Sequence, residues 1–137
     1  MKKKTVLFIC THNSARSQMA EGLVNNIYND KLKAYSAGTE KTQVKKLAID
    51  AMKEINIDIS DQRSKTIEIF KNKKFDYVVT VCDNAKNNCP FFPGAKRYFH
   101  ASFEDPSEVN GSYKNKLDAF IKTRNKINKW IKKNLMK

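Results

Sequence analysis

The sequence predicts an α/β fold, with a small parallel four-stranded sheet and helices on both faces. Short β-branched and aromatic runs alternate with stretches whose apolar residues recur at helical spacing, which is typical of strand–helix units and so of parallel strands. The length of 137 residues suits one core. No repeat, linker or low-complexity tract divides the chain, so we expect a single domain over residues 1–137.

The first half of the chain is predicted to form two strand–helix units. The apolar run 5–9 is typical of a buried strand, and 17–28 follows with apolar residues at helical spacing. The run 32–36 is a second strand that closes on a turn at Gly38. An amphipathic helix is predicted over 44–55.

The second half is predicted to add two strands and a closing helix. The β-branched run FDYVVTV is the clearest strand signal in the sequence. The predicted elements are a polar loop over 57–65, a short helix over 66–70, strands over 75–81 and 96–100 around a loop at 83–94, and a basic helix from 112 onward.

The formal net charge of +13 is concentrated in the last segment. From residue 112 onward, nine Lys or Arg residues face a single Asp. Such a helix could meet nucleic acid or an anionic membrane. Its apolar residues, however, form an ordinary core-facing stripe, and no aromatic side chain is interleaved on the basic side to stack on bases. We therefore expect a solvated basic face on a monomer, without a nucleic-acid or membrane partner.

The N-terminal lysines resemble the start of a signal peptide, but the apolar run behind them is too short and breaks into THNS. No stretch of the sequence approaches membrane-spanning length. We expect a cytoplasmic protein, and we do not expect its three cysteines to form a stable disulfide framework.

The segment CTHNSAR places a thiol and an arginine around a short polar loop. Cys10 ends the first predicted strand, and Arg16 stands where the following helix begins. Unpaired N–H groups at that position converge on an anion, and they favour the thiolate over the thiol. The Arg16 guanidinium adds a planar group that can bind two oxygens of the anion. We predict a nucleophile at Cys10 beneath an oxyanion held by Arg16, with Ser14 and Ser17 donating to the sulfur and Asn13 pinning the loop.

An acid is also required, because an oxygen that leaves the attacked group needs a proton. Asp105, in SFEDPSE, is the candidate, with Pro106 stiffening its loop. By itself an Asp-Pro pair indicates only a turn.

Cys82 and Cys89 lie in VTVCDNAKNNCPFFPG, and three readings stay open at this point. Two thiolates with His12 or His100 could hold a metal, but six intervening residues do not match the usual zinc spacing. They could be inert core cysteines. They could also be redox partners that resolve a bond formed at Cys10.

The segments CTHNSARSQMAEG, YSAG, DISDQRSK, VVTVCDNAKNNCP and FEDP together resemble the thioredoxin-coupled arsenate reductases built on the low-molecular-weight tyrosine phosphatase fold. The resemblance runs from residue 3 to residue 106. It implies that Cys10 attacks arsenate, Asp105 protonates the departing oxygen, and Cys82 then attacks Cys10 as arsenite leaves. Cys89 would next attack Cys82, and thioredoxin would reduce the resulting disulfide.

The resemblance also implies a substrate site, with phosphate as a competitor, and neither a metal nor a bound cofactor. The substrate-binding residues would be Thr11, His12, Asn13, Ser14, Ala15, Arg16 and Ser17.

The sequence departs from the family's pattern in three ways. His12 stands where relatives often carry Gly, and Ala15 replaces a cysteine seen in some of them. Arg63 and Lys65 stand where potassium-binding members carry oxygen ligands, so we hypothesise a built-in cation that makes potassium unnecessary.

Two alternatives remain. A low-molecular-weight tyrosine phosphatase would use Cys10, Arg16 and Asp105 but has no use for the second and third thiols. Such phosphatases tend to follow Asp-Pro with an aromatic residue, whereas this chain has Ser107. A basic nucleic-acid-binding module would leave all three thiols unexplained.

Overall fold

The computed structural model describes residues 3–81 and 92–136. The strands are β1 (Lys4–Cys10), β2 (Leu32–Gly38), β3 (Phe75–Thr80) and β4 (Ala95–His100). The helices are α1 (Arg16–Ile27), α2 (Lys46–Lys53) and α3 (Tyr113–Leu135), with 3-10 turns at Ile67–Phe70 and Pro106–Glu108.

The four strands form one parallel sheet in the order β2-β1-β3-β4. β1 is therefore a central strand with a partner on each side, and its seven residues change from exposed at the start to fully buried at the end. Because the carboxyl ends of parallel strands meet at one edge of the sheet, Cys10 is carried to the edge where ligands bind in such folds.

The two faces of the sheet are covered differently. The three α-helices pack on one face, where Val6 and Phe8 of β1 meet the apolar sides of α1, α2 and α3. On the other face, Leu7 and Ile9 meet a smaller cluster that includes Phe70 of the first 3-10 turn. The predicted α/β class with a parallel four-stranded sheet is confirmed, with the three α-helices on one face and the 3-10 helix Ile67–Phe70 on the other.

Some boundaries differ from the sequence-based expectation. The predicted helix 44–55 is shortened to Lys46–Lys53. At its start, the backbone N–H of Lys45 donates to the carbonyl of Ser14 (2.9 Å). At its end, Asn56 adopts a left-handed φ of 62°. The predicted short helix at 66–70 is a 3-10 turn.

Other differences lie at strand and helix ends. β2 continues to Gly38 because it pairs with β1 up to Cys10. The Asp-Pro pair indicated a turn, but its 3-10 form over Pro106–Glu108 was not predicted. Asp105 accepts from the Ser107 N–H, and proline takes the first position, as at the start of a helix. The predicted loop 83–94 lies largely outside the described residues, as do Cys82 and Cys89.

Among the described residues, none of the helices combines the length and apolar character that crossing a bilayer would require.

Candidate active site

Cys10 and Arg16 bound a loop of five residues between the end of β1 and the start of α1. Both are nearly inaccessible to solvent, with 2% and 4% of their surface exposed. The Cys10 Sγ lies 3.0 Å from the hydroxyl of Ser17. No side chain caps the start of α1, so its first N–H groups are left to act on whatever occupies the loop.

The carbonyl groups of this loop, Thr11 to Ser14, point outward. The Thr11 carbonyl accepts from the N–H groups of Thr39 and Glu40, and the His12 carbonyl accepts from the hydroxyls of Thr42 and Ser64. The Asn13 carbonyl accepts from the Gln18 amide, and the Ser14 carbonyl accepts from the Lys45 N–H. Since no peptide bond in the described residues is cis, the N–H that follows each carbonyl points the opposite way. The N–H groups of residues 12–15 therefore face the inside of the loop and form an anion nest.

Asn13 fixes the conformation of the loop. Its φ of 50° lies in the left-handed region, which asparagine tolerates better than most residues. Its side-chain oxygen accepts from the Lys65 N–H (2.8 Å), and its amide nitrogen donates to the Ser17 hydroxyl (2.8 Å). Since that hydroxyl also contacts the Cys10 sulfur, Asn13 links the loop's shape to the position of the nucleophile.

Gly38 allows the loop to approach the end of β2. A Cβ at this position would lie 2.6 Å from the carbonyl oxygen of Thr11 and 2.7 Å from that of Cys10. Backbone atoms cannot move aside as the tip of a side chain can, so only glycine fits. The YSAG segment thus supplies a surface against which the catalytic loop lies.

Arg16 and Asp105 meet across the mouth of the loop. The Arg16 Nη1 donates to the carbonyl of Phe103 (2.9 Å), and Nη2 lies 3.8 Å from an Asp105 carboxylate oxygen. The other Asp105 oxygen accepts from the N–H (3.0 Å) and the hydroxyl (2.6 Å) of Ser107. Arg16 is thereby tied to the residues just before Asp105, which brings the arginine and the carboxylate together.

The pKa of Asp105 is below its ordinary value. Burial by itself would raise this pKa, but the hydrogen bonds from Ser107 and the positive charges of Arg16 and Lys45 together outweigh burial. In the free protein Asp105 is therefore a carboxylate at neutral pH.

A cavity of about 910 Å³ opens above the loop and joins these groups. Cys10, Arg16 and Asp105 all line it. Its opposite wall is the segment 42–47, which brings the lysines at 45 and 46. A small tetrahedral oxyanion held by the loop would lie between a thiol, a guanidinium and a carboxyl group.

Behind the loop lies a largely buried ammonium group. The Lys65 Nζ donates to the carbonyl of Arg63 (2.6 Å) and lies 3.7 Å from the Glu21 carboxylate, which also accepts from the Ser36 hydroxyl (2.5 Å). Burial is the largest influence on both charged groups, raising the pKa of Glu21 and lowering that of Lys65. Of the two cations noted in the sequence, Lys65 forms the ion pair with Glu21, whereas Arg63 contributes its carbonyl.

The two histidines have partners other than a metal. The His12 Nδ1 lies 2.9 Å from the Glu40 carboxylate, and the His100 Nδ1 lies 2.6 Å from the Thr80 hydroxyl. Within residues 3–81 and 92–136, no group of three or more His, Cys, Asp or Glu side chains is placed to hold a metal ion.

The structure thus brings together Cys10, Arg16, Ser17 and Asp105, all of which the sequence singled out. Ser14 contributes through its carbonyl, and among the described residues Ser17 is the one that hydrogen-bonds to the sulfur. Further residues, to which the sequence analysis assigned no role at the site, support the loop from outside: Gln18, Gly38, Thr42, Gln62 and Ser64. All but Thr42 lie in the segments that carry the family resemblance, but one sequence does not reveal their contacts with the loop.

Comparison with known proteins identifies the class of this fold and site. The family model for low molecular weight phosphotyrosine protein phosphatase matches residues 5–137, so the chain belongs to that family. Within it, the chain is 45% identical over 132 residues to an arsenate reductase of Halalkalibacterium halodurans, covering 96% of this chain and 95% of the relative.

Two further comparisons agree. An arsenate reductase of Staphylococcus aureus strain N315 is 49% identical over 107 residues, which are 78% of this chain and 82% of the relative. A solved arsenate reductase in its phosphate binding state superposes with a TM-score of 0.82 at 33% identity, covering 97% of this chain and 96% of the other.

Proposed function

We propose that this protein is an arsenate reductase that uses three cysteines in succession and receives its electrons from thioredoxin. The observation that carries the proposal is the placement of the Cys10 sulfur, the Arg16 guanidinium and inward N–H groups around one cavity. Similarity to arsenate reductases along most of the chain supports arsenate as the oxyanion.

The first step is attack of the Cys10 thiolate on arsenic. The inward N–H groups and the Arg16 guanidinium hold the arsenate oxygens and stabilise the negative charge that develops on them. A sulfur–arsenic bond forms and one oxygen departs. Ser17 donates to the sulfur before attack and keeps it aimed at the bound anion.

Asp105 supplies the proton to the departing oxygen, which leaves as water. Its pKa is low in the free protein, so it must gain a proton when substrate binds. A bound oxyanion adds negative charge beside the carboxylate and raises its proton affinity. Substrate binding thus prepares the acid that the step consumes.

The remaining steps involve Cys82 and Cys89, which lie outside the described residues. Cys82 attacks the Cys10 sulfur, and the electron pair of the broken sulfur–arsenic bond stays on arsenic, which is reduced from arsenate to arsenite. Cys89 then attacks Cys82, which frees Cys10 and leaves a Cys82–Cys89 disulfide for thioredoxin. Two thiols supply both electrons, so the scheme needs no bound cofactor. It also fits a cytoplasmic location, where thiols are kept reduced.

The test is NADPH oxidation by the purified protein with thioredoxin and thioredoxin reductase, started by adding arsenate. Arsenate-dependent oxidation is expected, and Cys10→Ser, Cys82→Ser or Cys89→Ser should each abolish turnover. Single-turnover arsenite release without thioredoxin separates the steps, because Cys89→Ser should still release one arsenite per protein.

A folded, fully reduced protein that consumes no NADPH under these conditions would contradict the proposal. Hydrolysis of an aryl phosphate that survives the loss of Cys82 and Cys89 would then favour the phosphatase alternative, which shares the first attack.

A further inference from the structure

One carbonyl of the catalytic loop, that of His12, is held by two hydroxyl groups from separate parts of the chain. The Thr42 Oγ1 donates to it at 2.9 Å and the Ser64 Oγ at 3.1 Å. The Ser64 oxygen in turn accepts from the Thr42 N–H at 2.9 Å, which leaves its hydrogen free to point at His12. Ser64 is 5% exposed, so water competes little for this contact.

We propose that Thr42 and Ser64 are positioning residues that keep the peptide between His12 and Asn13 from flipping. Thr42 also lines the cavity, but its hydroxyl, like that of Ser64, is used on the His12 carbonyl. Their effect on the oxyanion site passes through the backbone. This inference rests on the proposed function only in taking the loop to bind an oxyanion.

The backbone itself explains why such a restraint is needed. Asn13 has a φ of 50°, in the left-handed region that costs energy for any residue with a side chain. A flip of the preceding peptide would rotate this angle by about 180°, to about −130°, which is ordinary extended backbone. The φ of Asn13 would therefore be more relaxed in the flipped peptide.

A flip would damage the oxyanion site in two ways. The Asn13 N–H would leave the nest, and the His12 carbonyl oxygen would point inward in its place. A carbonyl oxygen carries partial negative charge and would repel the bound anion. The two hydroxyl contacts on the His12 carbonyl exist only in the unflipped state, so they shift the balance toward the binding-competent loop.

The experiment measures binding of inorganic phosphate to the reduced full-length protein by calorimetry, with folding checked by thermal melting. Thr42→Val and Ser64→Ala should each weaken phosphate binding on the order of fivefold, the effect of one lost hydrogen bond. The double variant should lose more than either. Thr42→Ser, which keeps the hydroxyl, should bind within about twofold of the parent.

Ser60→Ala is the matched control, because it removes an exposed hydroxyl from the same polar segment, away from His12. It should bind phosphate as the parent does. Because Thr42 is exposed, Thr42→Val keeps the test decisive even if Ser64→Ala unfolds.

The inference would be overturned if the variants melted at lower temperatures but bound phosphate at 15 °C within twofold of the parent. The hydroxyls would then be merely structural. Thr42→Ser as weak as Thr42→Val would overturn it as well. Failure of the parent protein to bind phosphate would instead contradict the oxyanion site itself, and the proposed function with it.

Discussion

Two arginines in the described part of the chain are almost completely buried, and their donors are used differently. Arg124, in the middle of α3, is 5% exposed, and Arg16, at the start of α1, is 4% exposed. Arg124 donates to the Ala51 carbonyl (2.7 Å), to Glu54 (2.7 Å) and, through Nε and Nη2, to the Asn125 side chain (3.0 and 2.8 Å). Within the described residues, Arg16 donates one hydrogen bond, to the Phe103 carbonyl.

The comparison shows how burial alone fails to separate a structural arginine from a binding one. Every nitrogen of Arg124 has a partner, and those partners fasten the end of α2 to α3. Arg16 lines the cavity and faces Asp105 at 3.8 Å, beyond hydrogen-bond distance. Arg16 thus presents its guanidinium at the cavity, where the oxygens of a bound anion can accept from it.

The largest effect is expected from replacing the two arginines by lysine. Arg16→Lys should lower kcat/KM for arsenate by about 10²–10³, because an ammonium cannot present the planar fork that grips two oxygens. Arg124→Lys should lower the melting temperature while leaving kcat/KM of the folded protein nearly unchanged. Steady-state kinetics and thermal melting of both variants test this. Equal losses of kcat/KM would contradict the distinction.

The carboxylates paired with the two arginines give the next test. Asp105→Asn should lower the rate of arsenite release by about 10², the lower range for loss of a general acid. Glu54→Gln should leave this rate unchanged. It should change the free energy of unfolding by less than about 0.5 kcal/mol, because the Glu54 side chain is 52% exposed. Single-turnover rates and denaturant unfolding are the measurements. A full rate in Asp105→Asn would remove this residue from the mechanism.

Lys65 is a third cation that is largely buried, and its expected effect on turnover is smaller. Since its ammonium lies beside Glu21 and the Arg63 carbonyl, replacing sodium by potassium at constant ionic strength should change the turnover of the parent protein by less than about twofold. Lys65→Ser leaves the Glu21 carboxylate without this cation, and its turnover should rise with potassium. Marked potassium stimulation of the parent would contradict a built-in cation.

The smallest effect concerns stability in acid. The pKa of Asp105 is lower in the folded protein than in the unfolded chain, so its contribution to stability is present above the unfolded value of about 3.9 and disappears as pH falls through the folded value. Between pH 5 and pH 2, the parent should lose more stability than Asp105→Asn. The difference between the two losses should be less than about 1 kcal/mol, because the Asp105 side chain is 25% exposed. Melting temperatures across this range test the sign, and parallel curves would contradict it.

The parts predicted well from the sequence are those with a local signal. The strand before Cys10 and the helix after Arg16 follow from hydrophobic periodicity, and their junction locates the anion nest. Helix ends were less well predicted. The segment before α2 has apolar residues at helical spacing, yet its backbone bonds to the catalytic loop through Lys45 and stays extended.

Sequence by itself thus determined the α/β class, the position of the nucleophile and the arginine six residues after it. These features depend on side-chain period and on groups close together in the chain. Only the tertiary structure decided which groups hold the loop open: Thr42 and Ser64 on the His12 carbonyl, and Gly38 against Thr11. Their contacts join residues that are 27 to 52 positions apart, and such pairings exist only after the strands have set the path of the chain.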